Sequence, residues 1–211
     1  MTDTPLLIGR SSSHFTRVVR IVAAELGVAC AFRPVHDLGS RDSADYGGNP
    51  AMKVPVLRLG EDTVFGTENI CRTLVERFPG PGAIVWTGQW PDPAVRNAQE
   101  MVWHAMATQV QLVFGTQAAG LPAENLYFRK AAEGMAQVLA WLEVHVDNTL
   151  AALPPRTVSL FEVTLFCLLE HLEFRPSVAW GGHPRLQAFA EAFGQRPSAQ
   201  STGYRFDPPP A

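Results

Sequence analysis

Residues 53–78 read KVPVLRLGEDTVFGTENICRTLVERF, and this stretch decides the fold. Two short apolar runs, KVPVLRL (53–59) and TVF (63–65), are divided by the polar turn Gly60-Glu61-Asp62, which is the pattern of a β-hairpin. Helical spacing follows, through Ile70, Leu74, Val75 and Phe78, and predicts a helix over 67–78. Pro79-Gly80-Pro81-Gly82 then breaks it.

On the N-terminal side of this β-β-α unit, PLLIG (5–9) reads as a short buried strand. The polar run Arg10-Ser11-Ser12-Ser13 precedes a helix whose apolar stripe is Phe15, Val18, Val19, Val22 and Leu26 and whose stop is Gly27. ACAFRPV (29–35) forms a second strand, and the Gly, Ser, Asp and Asn residues between Asp37 and Asn49 mark an irregular polar connection. The first part of the chain therefore runs β-α-β and then β-β-α, an α/β domain expected over 1–80.

On the other side the pattern is helical only. Residues 81–93 are rich in Pro and Gly and carry Trp86 and Trp90, which suits a linker packed against both neighbours. Ala94–Phe114 places Val95, Ala98, Met101, Val102, Ala105, Leu112 and Val113 on one side, and Ala123–Leu150 does the same with Leu126, Met135, Val138, Leu139, Leu142 and Val146. A Gly-Leu-Pro turn makes these two an antiparallel pair. A third helix starts at Ser159, whose spacing to Glu162 is that of a capping box. A short fourth over 185–194 precedes a Pro-rich tail expected to be extended or frayed, so an all-α domain is expected over 94–211.

Composition bounds the function. A chain of 211 residues has room for two small domains, and 46% hydrophobic against 18% charged residues excludes a disordered chain. A net charge of −3 with no Lys/Arg cluster points away from nucleic acid. No basic-then-apolar leader and no run of the roughly 18–20 apolar residues that span a bilayer is present, so neither export nor a membrane is expected. Cys30, Cys71 and Cys167 are far apart and without C-x-x-C spacing, which reads as buried thiols in a reducing compartment. His14, His36, His104, His145, His171 and His183 show no ligand spacing, so no metal is expected.

SSSHFTRVVRI (11–21), NPAMKVPVL (49–57), TENICRTLVERF (67–78) and SLFEVTLFCLLEHLEFR (159–175), in this order and spacing, resemble the glutathione transferase superfamily over nearly the whole chain. The resemblance implies an N-terminal thioredoxin-like domain that binds glutathione, an all-helical C-terminal domain that shapes a pocket for an electrophilic small molecule, a homodimer, and a cytoplasmic role in detoxification.

The resemblance also implies roles for single residues. In NPAMKVPVL the proline is expected to be cis, with Lys53, Val54 and Pro55 in the glutathione site and the Val54 backbone pairing with the cysteinyl part of the tripeptide as an added strand would. Ser13 is expected to donate a hydrogen bond to the glutathione sulfur, at a helix N-terminus that favours an anion. Ser11 and Ser12 are the alternatives for that contact, and His14 could add a donor or a positive charge there. Ser13 read only as an N-cap is worth about 1 kcal/mol, and the two roles are compatible.

Thr67 is expected to bind the γ-glutamyl carboxylate. Gly66 stands where the family carries an acid or Gln, so the γ-glutamyl amine is expected either to be contacted by Glu68 or to be held less well. Ser11, Ser12 and His14, with Trp103, His104, Thr108 and Gln111, are candidates for the second pocket, although a core or solvated position explains each of the last four as well. Ser at the helix start argues against a disulfide-reducing member. A non-catalytic binding protein with a degraded site, and a glutathione-dependent peroxidase or thiol transferase, remain the other readings.

Overall fold

The computed structural model describes residues 4–80, 84–90 and 92–209, and the chain divides into two compact units. The first unit comprises residues 1–82 together with 196–211, and the second comprises 83–195. The boundaries differ from those expected, because the end of the chain joins the α/β unit rather than the helical one. Of the linker expected over 81–93, residues 81–83 and 91 lie outside the described residues.

In the first unit β1 (Leu6–Gly9), α1 (His14–Glu25) and β2 (Ala31–Pro34) form the expected β-α-β, with β1 and β2 parallel. After a 3₁₀ turn over Ser43–Tyr46 come β3 (Val56–Leu59), β4 (Asp62–Phe65) and α2 (Thr67–Arg77). The sheet order is β2-β1-β3-β4, and β3 runs antiparallel to both its neighbours.

Alternation across the strands divides the sheet faces. Ile8 and Val56 pack with Val35 and Tyr46 on one face. That leaves Leu7 and Leu57, paired in register, on the other, where α1 and α2 bury Val18, Val22, Ile70 and Leu74. Cys71 is buried as expected, whereas Cys30 is only half-buried, in the loop before the edge strand β2.

The expectation of an extended or frayed tail is corrected over 197–202, whereas residues 203–209 carry no helix or strand. Pro197–Ser201 forms a further short helix, α7, and Ser198, Ala199 and Thr202 are buried. The anchoring groups are on α1: Arg17 and Arg20 donate to the backbone carbonyls of Ala199 and Thr202, and Glu25 takes a two-point contact from Arg196. Composition marked this segment as loose, but partners 171 to 182 residues earlier hold it.

The second unit is helical. α3 (Pro93–Leu112) is capped by Asp92 and continues as a π-helical stretch over Val113–Ala118, and α4 (Leu126–Ala152) is capped by Asn125. α5 (Leu160–Phe174) is buried along almost its whole length, and α6 (Pro184–Gly194) follows. The capping box is present: Ser159 Oγ accepts the Glu162 N–H at 3.1 Å, and Glu162 Oε2 accepts the Ser159 N–H at 2.7 Å. Arg156 holds the same carboxylate at 2.7 Å. Trp86 and Trp90 are buried, Trp90 edge-on to Phe161. A feature that periodicity did not reveal is the two-residue parallel pair of β5 (Ile84–Val85) with β6 (Val158–Ser159).

Candidate functional site

Strand register brings the first three motifs to one end of the sheet. Ile8 of β1 pairs with Val56 of β3, and Val56 pairs with Phe65 of β4, so these residues form a row across three adjacent strands. The chain leaves β1 toward Ser11–Ser13, enters β3 from Val54–Pro55 and leaves β4 into Gly66–Thr67, all beyond the same end of that row. With neighbouring strands about 4.8 Å apart, the row spans about 10 Å. An extended tripeptide, at about 3.3–3.6 Å per residue, has the same reach.

The turn from β1 into α1 is tight because residue 9 is glycine. A Cβ there would lie 2.6 Å from both Thr16 Cγ2 and Thr16 Oγ1. Ser13 is the N-cap of α1: its Oγ accepts the Thr16 N–H at 3.3 Å, which leaves the hydroxyl proton available to a ligand. Ser12 and Ser13 are half-buried. Ser11 is 1% exposed, its N–H is donated to Asp207 Oδ2 at 2.9 Å, and its Oγ has no hydrogen-bond partner among the described residues. His14 is not solvated: it is buried as the first residue of α1, its ring 4.7 Å from that of Phe15.

The Val54–Pro55 peptide is cis, as expected. Val54 precedes β3 and stands outside the strand ladder. The loop before it is folded by Asn49, a buried residue to which the sequence reading gave no role. Asn49 Nδ2 donates to the Lys53 carbonyl at 2.8 Å and Asn49 Oδ1 accepts the Ala51 N–H at 3.0 Å. The Asn-Pro dipeptide was the available signal, since such pairs initiate turns. Lys53 itself is exposed.

Thr67 is the first residue of α2 rather than its cap, and it is buried. The cap is Gly66, at φ 85° and ψ 131°, and no side chain caps the first turn. Gly66 is therefore a residue whose backbone sits where side chains are disfavoured. Glu68 is engaged by Arg72, whose Nε and Nη2 reach Oε1 at 2.9 and 2.7 Å. The positive ends of α1 and α2 both lie at this end of the sheet, which favours a ligand with two anionic groups.

In the second unit, His104, Thr108 and Gln111 line a groove of about 490 Å³ between α3 and α4, together with Tyr127 and Lys130. Trp103 is half-buried and does not line it. Among the described residues no group of three His, Cys, Asp or Glu side chains is placed to hold a metal ion, and no helix is long and apolar enough to cross a membrane.

Residues 7–82 match the family model described as glutathione S-transferase, N-terminal domain. Solved structures resemble the chain over nearly its full length. A glutathione S-transferase from Methylobacterium radiotolerans, in complex with glutathione sulfonate, is 22% identical with a TM-score of 0.75, over 98% of each chain. A glutathione transferase family member from Pseudomonas fluorescens Pf-5, with bound glutathione, is 22% identical with a TM-score of 0.79, over 95% of this chain and 99% of that one. The fold is that of the glutathione transferases. A glutathione S-transferase from Methylobacillus flagellatus, with glutathione bound, has the same fold at a TM-score of 0.75 and 22% identity, over 95% of this chain and all of the other. The comparison with curated proteins gives no match. At these identities the glutathione transferase fold is what the solved structures share with this chain, and the thioredoxin-like sheet followed by helices is the architecture that the sequence motifs implied.

Proposed function

We propose that the protein is a glutathione transferase: it binds glutathione at the end of the β1-β3-β4 sheet and directs its thiolate to an electrophilic small molecule. The observation that carries this reading is the row Ile8–Val56–Phe65, which sets the Ser11–Ser13 turn, Val54–Pro55 and Thr67 side by side at the span of a tripeptide. Glutathione bound to structural relatives of the same fold supports it.

In this reading the Val54 backbone receives the cysteinyl residue as an added strand, and Thr67 with the first N–H groups of α2 holds the γ-glutamyl carboxylate. The Ser13 hydroxyl donates to the sulfur and favours the thiolate, whose proton goes to water. The sulfur then attacks the electrophilic carbon, and the leaving group departs with its bonding pair.

Calorimetric titration with glutathione tests the assignment. Thr67→Ala is expected to weaken binding about tenfold, the worth of a hydrogen bond to a charged group. Ser13→Ala is expected to bind with nearly the same affinity but to return the bound thiol toward its ordinary pKa of about 8.5, read from thiolate absorbance. Absence of binding by the wild-type protein at millimolar glutathione rejects the transferase reading.

A second reading, a glutathione-site relative without turnover, is favoured by one arrangement. Position 66 carries no carboxylate, and Glu68 is already occupied by Arg72. Glutathione binding without conjugation across a screen of electrophiles selects it, and turnover with hydroperoxides alone would assign a glutathione-dependent peroxidase.

A further inference from the structure

Residues 196–209 run along α1 from its last residue to the turn before its first. Glu25, at the end of the helix, receives Arg196 Nε and Nη2 at 2.9 and 2.8 Å and the Ser198 hydroxyl. Further along, Arg20 Nη1 donates to the Thr202 carbonyl at 3.3 Å and Arg17 Nη2 to that of Ala199 at 3.2 Å. The Arg17 guanidinium also stacks 4.3 Å from the centre of the Tyr204 ring. This part is fixed, with Thr202 buried.

Beyond Tyr204 the segment is different. Arg205, Phe206, Pro208 and Pro209 are exposed, and among them Asp207 turns back so that its Oδ2 accepts the Ser11 N–H at 2.9 Å. A carboxylate of the chain itself thus stands on the turn that leads into α1, two residues before its N-cap. The Ser11 hydroxyl beside it is buried with no hydrogen-bond partner among the described residues. A second anion placed there would meet like-charge repulsion and would compete for the same backbone donor.

We infer that residues 205–209 form a strap whose Asp207 carboxylate occupies the thiolate end of the glutathione site and withdraws when glutathione is held as its thiolate. This rests on the glutathione reading of that site. The 196–204 anchor on α1 keeps the strap close while it is open, and its release frees the Ser11 N–H as a donor beside the Ser13 hydroxyl. The strap sets glutathione affinity by competition between two anions for the same backbone donor.

The test is calorimetric titration of the full chain, at low ionic strength, with glutathione and with S-methylglutathione, which has no thiolate. Wild type is compared with Asp207→Ala, which removes the contact, and Asp207→Asn, which removes the charge while keeping shape and an acceptor. Asp207→Ala is expected to bind glutathione about tenfold more tightly, the size of one charge-assisted hydrogen bond, with Asp207→Asn between it and wild type. S-methylglutathione is expected to gain less from either change. Glutathione binding by wild type that is unchanged or weakened in Asp207→Ala overturns the strap and leaves the site assignment standing. No binding by any of the three proteins rejects the glutathione reading, and the role of the strap with it.

Discussion

Replacing glycine by alanine at two positions is expected to change stability in opposite directions, because backbone conformation and not packing decides both. At Gly66 an added Cβ has room, since its nearest neighbour would be Asn69 Cβ at 3.9 Å. The backbone there is at φ 85° and ψ 131°, and the Gly66 carbonyl accepts the Ile70 N–H at 2.9 Å, so the residue cannot relax without loosening the first turn of α2. A non-glycine residue held in such a conformation costs about 1–3 kcal/mol. Alanine recovers about 0.4–1 kcal/mol by restricting the unfolded chain, which leaves a net loss of about 1–2 kcal/mol for Gly66→Ala. Gly134 lies within α4, exposed, with no atom within 4 Å of an added Cβ. Gly134→Ala is therefore expected to gain about 0.5–1 kcal/mol from helix propensity. Urea unfolding of the two variants beside wild type measures both. A Gly66→Ala protein as stable as wild type would refute the reasoning. It would also mean that the acid missing from this position could be restored without backbone strain.

Two further predictions concern the anchors of each unit. Burial pushes the Glu25 carboxyl up, but hydrogen bonds from Arg196 and Ser198 and the guanidinium charge outweigh it, so the group lies below its usual range. A depressed folded value means that its contribution is complete above the unfolded pKa of about 4.3 and is lost as pH falls through the folded value. Glu25→Gln is expected to cost about 1–3 kcal/mol at pH 7, with the gap to wild type constant down to about pH 4.3 and closing below it. Denaturant unfolding across pH reads this, and a gap that persists at pH 2 would contradict it. In the second unit, Ser159→Ala is expected to cost about 1–2 kcal/mol through loss of the cap. Glu162→Ala is expected to cost about 2–3 kcal/mol, because it leaves the Ser159 N–H and the Nε and Nη2 of Arg156 without their acceptor. The double variant is expected to cost less than the two together, and strict additivity would argue against a coupled box.

Local pattern was enough where local chemistry decides. The helix stripes, the hairpin turn, the Ser13 and Ser159 caps and the Val54–Pro55 motif are set by residues within a few positions of each other, and all were legible. Thr67 was placed at the start of the helix over 67–78, where α2 begins. Its position inside α2 follows from the Gly66 conformation, which residue types alone do not give. The groove between α3 and α4 separates His104, Thr108 and Gln111 from Trp103, because which side of α3 meets its partner depends on crossing geometry rather than on spacing.

The sequence by itself determined the order of elements and the apolar faces, since both depend on short-range periodicity, capping and turn chemistry, while the candidate site residues came from the resemblance of its motifs. Tertiary structure alone decided what depends on chain closure. The register Ile8–Val56–Phe65 brings three motifs spread over more than 50 residues to one end of the sheet. The return of residues 196–209 along α1 sets Asp207 on Ser11, 196 positions away. The physical reason is that a hydrogen bond or ion pair between distant residues leaves no periodic trace in the chain. Arg17, Glu25, Arg196 and Asp207 read one by one as ordinary surface charges until the fold makes them neighbours.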